Sequence, residues 1–192
     1  SWLWQKSATD FDEMTNLSLA LREKLKEHFA IRAVAIYKEQ FSKDGTIKSA
    51  FKLHDAHIIE GVMIPVDDRA TACVSSQVGC SLTCKFCATG FLKRERNLDP
   101  AEIYDQVVLI RNQAEKSLGR PLTNIVFMGM GEPLLNYSNV LASIEKITSP
   151  EGLGMSPKRI TVSTAGIAKM IKKLGDDQVR FNLALSLHAA ND

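Results

Sequence analysis

The stretch GCSLTCKFC, residues 79–87, contains three of the four cysteines of this 192-residue chain. Cys80, Cys84 and Cys87 are separated by three and then two residues, so one short loop can bring three thiolates to the same face of a metal cluster. A [4Fe–4S] cluster normally takes four cysteine ligands, and a loop that supplies three leaves one iron open for chemistry. The spacing therefore predicts a catalytic iron–sulfur cluster.

Other uses of the cysteines are disfavoured by the rest of the sequence. Structural zinc usually takes four ligands, commonly from two C-x2-C pairs, and the chain has neither a second pair nor a paired histidine motif. A disulfide framework is disfavoured by so few cysteines in a chain of this length. A zinc site and unligated thiols remain the alternatives to the cluster.

The composition is 45% hydrophobic and 24% charged, with a formal net charge of +2. So small a charge means that binding to nucleic acid would depend on local basic patches. No apolar run is as long as a membrane span, and reduced cysteines are typical of the cytoplasm. We therefore expect a cytoplasmic protein that does not enter a membrane, with one domain and a smaller appendage.

The N-terminal third predicts a helix followed by a β-ribbon. Apolar residues recur at steps of three and four up to about residue 30, which predicts an amphipathic helix with its stripe in the core: Phe11, Met14, Leu17, Leu21 and Leu25. Residues 32–64 predict strands around a turn at 42–45. We expect an accessory segment over 1–64 and a larger unit over 65–192. Because the chain starts at Ser1 and stops directly after a strand-like run, we also expect a piece of a longer protein.

From about residue 70 strands alternate with helices. The strand-like runs are 72–75, 124–128, 159–163 and 180–186. The first helix has a strong start, with Asp99 as N-cap, Pro100 at the first position and Glu102 for a capping box, and its end is expected near Gly119. Further helices are predicted around 140–147 and over 167–174. Four strands and three helices predict an α/β fold of parallel units, which suits a partial barrel better than a complete doubly wound sheet.

Polar residues and glycines follow the predicted strands, where parallel β/α folds collect their reactive groups. The candidates at these ends, besides the cysteine loop, are Gly131, Glu132, Ser163, Ser186 and His188. Glycines let a backbone approach a ligand closely, and a carboxylate can accept hydrogen bonds from an ammonium or ribose group. We therefore expect a ligand site at this edge, although each residue alone would more often be structural.

Three further features allow two interpretations each. Cys73 is either a buried small hydrophobe, the usual fate of a free cysteine, or a thiol that attacks a covalent intermediate. The basic run at 93–96 is either a solvated face or an RNA contact. Phe86 and Phe91 either stack on a base or shield the cluster.

Several motifs together resemble the RlmN-type radical S-adenosylmethionine (SAM) adenine methyltransferases. They are DEMTNL (12–17), IEGVMIP (59–65), RATACVSSQVGC (69–80), the cysteine loop, GMGEPLLN (129–136), TVST (161–164) and LSLHA (185–189). The resemblance covers nearly the whole chain. It implies a TIM-like radical SAM barrel, truncated here after about four β/α units, with a [4Fe–4S] cluster and SAM as cofactors.

The resemblance also implies roles for single residues. Cys80, Cys84 and Cys87 would hold the cluster, and the five candidates at the strand ends would contact SAM. Glu60 matches the family's proposed general base, and Cys73 matches the cysteine that resolves an RNA–protein adduct. The substrates would be 23S rRNA and tRNA, and the electron donor a protein such as flavodoxin.

The implied reaction methylates carbon 2 of adenine, which has no nucleophilic lone pair to attack SAM. The family first methylates a cysteine near its C-terminus, then uses a 5′-deoxyadenosyl radical to activate that methyl group. That cysteine is not among the four here, so we expect this chain alone to complete no turnover. The rivals are a family branch that targets carbon 8 and a non-catalytic RNA-binding module with a structural metal.

Overall fold

The computed structural model describes residues 2–31 and 34–187, and nine strands lie within these ranges. They are β1 (Ala35–Phe41), β2 (Ile47–Lys52), β3 (Ile58–Val66), β4 (Arg69–Cys73), β5 (Gln77–Val78), β6 (Arg96–Asn97), β7 (Asn124–Phe127), β8 (Ile160–Thr164) and β9 (Asn182–Leu185). Seven of these form one sheet in the order β1-β2-β3-β4-β7-β8-β9, and β5 pairs with β6. The first four strands of the sheet are antiparallel to one another. From β4 onward the strands are parallel.

The helices in the described ranges are α1 (Leu19–His28), α2 (Pro100–Leu118), α3 (Tyr137–Thr148) and α4 (Ala168–Asp176). The last three each connect one parallel strand to its neighbour, so the chain runs β4-α2-β7-α3-β8-α4-β9. The predicted arrangement of parallel β/α units is confirmed. Its four strands form the expected partial barrel, and their carboxyl ends lie along one edge of the sheet.

The sequence of α2 accounts for both of its ends and for its buried face. Glu102 Oε2 accepts a hydrogen bond from the backbone N–H of Asp99 at 2.9 Å, within the predicted capping box. The helix ends at Gly119, whose φ of 63° is readily adopted by glycine. The face that packs towards the sheet is fully buried: Ile103, Val107, Ile110 and Ala114. Burying each of the larger side chains contributes about 1.5–3 kcal/mol.

The prediction of one amphipathic helix up to residue 30 was wrong. A short 3₁₀ turn, Phe11–Glu13, is capped by Asp10, and α1 begins only after Ser18, whose Oγ accepts from Leu21 N at 3.4 Å. Of the proposed core stripe only Met14 is buried, and α1 buries none of its side chains. Asp and Ser side chains compete for backbone N–H groups, so they divide the segment at two caps.

The β-ribbon was predicted correctly, and it is continuous with the barrel strands. Gly45 has a φ of 85° in the turn between β1 and β2. Val62 of β3 pairs with Cys73 of β4, so both parts share one sheet. The predicted boundary at residue 64 falls within β3, and the division into two units stays a prediction. None of the helices in the described part of the chain combines the length and apolar character that a membrane span requires.

Candidate functional site

A cavity of about 340 Å³ lies at the carboxyl ends of the parallel strands. The predicted site residues that line it are Cys80, Cys84, Cys87, Gly131, Glu132, Ser163 and Ser186. They come from the ends of four strands or the loops that follow them, and only the fold brings them together. His188 lies outside the described residues.

The cysteine loop is shaped by backbone hydrogen bonds. Cys87 N donates to Cys84 O at 3.1 Å, and Gly90 N donates to Cys87 O at 2.9 Å. A Cβ on Gly90 would lie 2.5 Å from Cys84 O, so the close packing of this loop requires glycine there. The N–H of Leu82 donates a hydrogen bond to Cys80 Sγ at 3.4 Å. All three cysteines are partly exposed, so their thiols are accessible from the cavity.

The donor set fits a cluster better than a single ion. Within residues 2–31 and 34–187, no three Cys, His, Asp or Glu side chains come close enough to share one metal ion. The cysteines of a [4Fe–4S] cluster bind different irons, so three thiols spaced around one cavity suit it.

The loop after β7 fits tightly against the strand end that leads into the cysteine loop. A Cβ on Gly129 would lie 2.7 Å from Ser75 Oγ, and one on Gly131, at φ 94°, would lie 2.5 Å from Gln77 Cβ. This packing places Glu132 in the cavity wall with 3% of its surface exposed.

The carboxylate of Glu132 is held at both oxygens. Oε1 accepts from Leu134 N at 3.0 Å, and Oε2 accepts from Ala165 N at 2.8 Å. Each carboxylate oxygen can accept a second hydrogen bond, so Glu132 can still receive an ammonium group from the cavity.

Ser163 and Ser186 contribute a pair of hydroxyls to the lining of the same cavity. Their Oγ atoms are 3.0 Å apart, and Ser186 N donates to Thr164 O at 2.9 Å. Either hydroxyl can donate to an anionic or ribose oxygen while accepting from the other.

A set of buried polar residues was not predicted as part of the site. Ser75 Oγ donates to Glu60 O at 2.6 Å and accepts from Met130 N at 2.8 Å. Gln77 Oε1 accepts from Glu132 N at 3.0 Å, and both Ser75 and Gln77 are fully buried. The sequence does contain a signal for this set, since the polar run 75–77 directly follows an apolar strand. Polar side chains buried in such a position are nearly always hydrogen-bonded, so the run indicates partners elsewhere in the fold.

Glu60 and Cys73 lie on the same face of the sheet. Cys73 is directly opposite Val62, two residues from Glu60, and such diagonal neighbours are roughly 7–8 Å apart. Glu60 Oε1 pairs with Lys48 Nζ at 2.9 Å, with both side chains about half exposed. Neither Glu60 nor Cys73 is among the described residues that line the cysteine cavity.

The Cys73 thiol is nearly inaccessible, with 9% of the residue exposed. Burial raises the pKa of the thiol, and a hydrogen bond from the backbone N–H of Met128 offsets part of that rise. Cys73 therefore remains a neutral thiol at neutral pH and needs a base to become a nucleophile.

The basic run at 93–96 has fewer cations free to bind a partner than its sequence indicates. Arg96 makes two hydrogen bonds of 2.8 Å to the carboxylate of Glu102 and one of 2.6 Å to Asp55. Burial would raise the pKa of Glu102, but the hydrogen bonds from Arg96 and from Asp99 N, together with the charge of Arg96, hold that pKa below its usual value. Arg96 is thus bound within the protein, while Lys93 and Arg94 remain exposed.

A larger cavity, of about 440 Å³, lies between the N-terminal segment and α2. Its lining is mainly apolar, with Asp105 as the acidic exception, and none of the predicted site residues borders it. We place the functional site in the smaller cavity because thiols, a carboxylate and hydroxyls converge there.

The comparison with known families identifies the superfamily of the chain. The model of the radical SAM superfamily matches residues 74–192, which include the cysteine loop and the loops after β7 and β8. The chain belongs to the radical SAM superfamily. Membership implies in general an iron–sulfur cluster and SAM, and the residues that line the cavity fit both groups. A second model, the ribosomal RNA large subunit methyltransferase N-terminal domain, matches residues 1–31.

Individual relatives match this chain over its whole length. The chain is 66% identical to a probable dual-specificity RNA methyltransferase RlmN of Cytophaga hutchinsonii, covering 52% of that protein, and 62% identical to one of Christiangramia forsetii, covering 54%. The crystal structure of a radical SAM methyltransferase from Sphaerobacter thermophilus superposes with a TM-score of 0.92 at 41% identity, and 56% of it is covered. This radical SAM chain thus spans about half the length of the curated relatives it matches.

Proposed function

We propose that this chain is part of a radical SAM RNA methyltransferase that methylates carbon 2 of adenine in 23S rRNA and in the tRNA anticodon loop. The observation that carries the proposal is the 340 Å³ cavity, where three thiols face a carboxylate and two hydroxyls. The names of the relatives, RNA methyltransferases of dual specificity, support an RNA substrate.

Each group in the cavity suits one part of the cofactors. Cys80, Cys84 and Cys87 would hold the [4Fe–4S] cluster through three of its irons. When bound, the cluster and SAM would together supply a carbon radical. Methylation of carbon 2 of adenine requires such a radical, because that carbon has no nucleophilic lone pair with which to attack SAM.

SAM carries an ammonium, a carboxylate and a ribose, and the cavity offers a partner for each. Glu132 accepts from the ammonium group, since both of its oxygens have spare acceptor capacity. Ser163 and Ser186 donate to the carboxylate or ribose, and the absence of a side chain at Gly131 allows close approach. His188 completes this set in our proposal.

Glu60 and Cys73 act on the RNA rather than on SAM. Glu60 is a half-exposed carboxylate whose Oε1 pairs with Lys48 Nζ at 2.9 Å, and a carboxylate open to solvent on this face suits a general base. Cys73 lies on the same face of the sheet and serves as the thiol that releases the product, once it is deprotonated. A protein such as flavodoxin provides the electron.

Anaerobic reconstitution with iron and sulfide, followed by EPR of the reduced chain with and without SAM, tests the proposal. We expect a reduced [4Fe–4S] signal that changes when SAM is added, and no such signal from a variant with all three loop cysteines replaced by alanine. A chain that takes up only zinc would overturn the catalytic role.

The two rivals are less favoured. Mass spectrometry of adenosines from RNA treated with the complete protein separates carbon 2 from carbon 8, and a product methylated only at carbon 8 would contradict our choice. A non-catalytic module with a structural metal does not explain why a buried carboxylate and a hydroxyl pair face the thiols.

A further inference from the structure

The cysteine loop borders a second surface besides the inner cavity. An open depression of about 610 Å³ lies there, bordered by Cys80, Phe91, Leu92, Lys93 and Arg94. Cys80 borders both this depression and the inner cavity. One cluster ligand therefore lies between the cofactor site and a separate surface.

This second surface combines exposed apolar and cationic side chains. Phe91 is 77% exposed and Leu92 52% exposed, and the neighbouring Lys93 and Arg94 are exposed cations. Among the described residues that border the depression, none is acidic, although Glu95 follows Arg94 in the chain. Exposed aromatic groups beside cations are typical of a contact surface for an acidic protein.

The backbone connects this surface directly to the cluster ligand. Cys80 N donates to Leu92 O at 3.4 Å, and Cys80 and Lys93 form an isolated β-bridge. A Cβ on Gly79 would lie 2.2 Å from Lys93 O, so the two segments are in close contact. A donor bound at Leu92 and Lys93 would be one hydrogen bond away from Cys80.

We propose that the surface formed by Phe91, Leu92, Lys93 and Arg94 docks an acidic protein that delivers one electron to the cluster through Cys80. The inference rests on the proposed function, since only a redox-active cluster needs a donor. One electron leaves the donor, which is oxidised by one electron, and the cluster is reduced from the 2+ to the 1+ state; no proton or group is transferred.

An RNA substrate fits this surface less well. The base that reacts must reach SAM in the inner cavity, which residues 91–94 do not border, whereas an electron donor has only to approach a cluster ligand. Redox partners also use small contact surfaces, typically below about 1,200 Å² in total, and this patch suits such a contact.

Charge reversal of Lys93 and Arg94 tests the proposal. The probe is an oxidised, acidic flavodoxin, and its dissociation constant is measured by calorimetry at low and high salt. We expect K93E/R94E to weaken binding at least tenfold at low salt and to flatten the salt dependence. The single variant K93E preserves the hydrogen bond from Arg94 Nη1 to Asn97 Oδ1, at 3.3 Å, and should weaken binding about threefold.

A matched control carries the same change of charge elsewhere. Lys169 and Lys172 are exposed on α4, so K169E/K172E should change the affinity less than twofold. Reduction by dithionite, which needs no docking surface, should give the same EPR signal in all variants. Electron transfer from reduced flavodoxin should be slowed tenfold only in K93E/R94E.

Three results would overturn the inference. One is an equal loss of flavodoxin affinity in K93E/R94E and in the α4 control. Another is loss of affinity for an RNA hairpin in K93E/R94E while flavodoxin binding is retained, which would make the surface an RNA contact. The third is a wild-type chain that dithionite cannot reduce, which would overturn the proposed function and the inference with it; this failure is detected before any donor is added.

Discussion

Glu132 Oε2 accepts a 2.8 Å hydrogen bond from the backbone N–H of Ala165, and this contact joins the loops that follow β7 and β8. The same carboxylate also binds Leu134 N through its other oxygen. Glu132 therefore has two functions in our interpretation: it holds two strand ends at a constant separation, and it presents acceptor capacity to the cavity between them.

Glu132→Gln should weaken both functions. A glutamine has one acceptor oxygen, so its NH₂ group would oppose one of the two N–H donors and leave it unsatisfied. We expect the free energy of unfolding to fall by about 2 kcal/mol and the affinity for SAM to fall at least tenfold, measured by urea denaturation and by equilibrium binding to the reconstituted chain. Glu151→Gln, at an exposed position, should change neither quantity, and a Glu132→Gln variant with unchanged SAM affinity would contradict the assignment.

Gly90→Ala should prevent assembly of the cluster. The added Cβ would lie 2.5 Å from Cys84 O and 3.1 Å from Cys84 N, so the loop must shift and move that thiol. We expect the iron content after reconstitution to fall below half of the wild-type value. The control is Gly175→Ala in α4, where a Cβ meets nothing within 4 Å; it should keep the iron and add up to about 1 kcal/mol of stability. Full iron content in Gly90→Ala would show that the loop tolerates the shift.

Cys73 should be alkylated much more slowly than the loop cysteines. Burial raises the pKa of its thiol and blocks the reagent, whereas Cys84 and Cys87 are partly exposed. We expect at least a tenfold difference in the rate of reaction with iodoacetamide at pH 7.5, followed by peptide mass spectrometry of the cluster-free chain. The difference should disappear in urea. Equal rates in the folded chain would mean that the thiol is accessible without any movement of the sheet.

Asp105 should make the stability depend on pH in a defined direction. Burial raises the pKa of its carboxyl from 3.8 to about 6, although Val34 N donates to it at 3.0 Å. Between about pH 4 and pH 6 the folded chain thus binds more protons than the unfolded chain, so this group's contribution to stability falls as the pH rises through that window.

Asp105→Asn should remove this dependence, because asparagine keeps an acceptor for Val34 N and carries no charge. We expect the free energy of unfolding to rise by up to about 2–3 kcal/mol at pH 7.5 and to change little at pH 4. The size follows from the rise in the pKa of Asp105 from 3.8 to about 6, at about 1.4 kcal/mol per pH unit. Urea denaturation at both pH values measures it. Asp68→Asn, at an exposed position, is the control, and a gain that is equal at both pH values would show that ionisation of Asp105 is not the cause.

The sequence alone determined the features that depend on neighbours along the chain. The alternation of strands and helices, and the capping box of α2 with its end at Gly119, were predicted correctly. Each rests on contacts within a few residues, where periodicity and capping chemistry are directly visible. The N-terminal helix was the exception, because caps at Asp10 and Ser18 interrupted a regular apolar pattern.

Only the tertiary structure decided which polar groups meet. Ser75 reaches Met130 and Gln77 reaches Glu132, in each case across 55 residues, and Arg96 is bound by Asp55, 41 residues away, rather than left free for RNA. The sequence pattern showed that these groups are polar, but not which of them would be partners. The first two pairs form because a crossover helix brings the parallel strands β4 and β7 side by side. The third forms where the turn between β2 and β3 meets the segment before α2, so all three depend on the packing of the whole sheet.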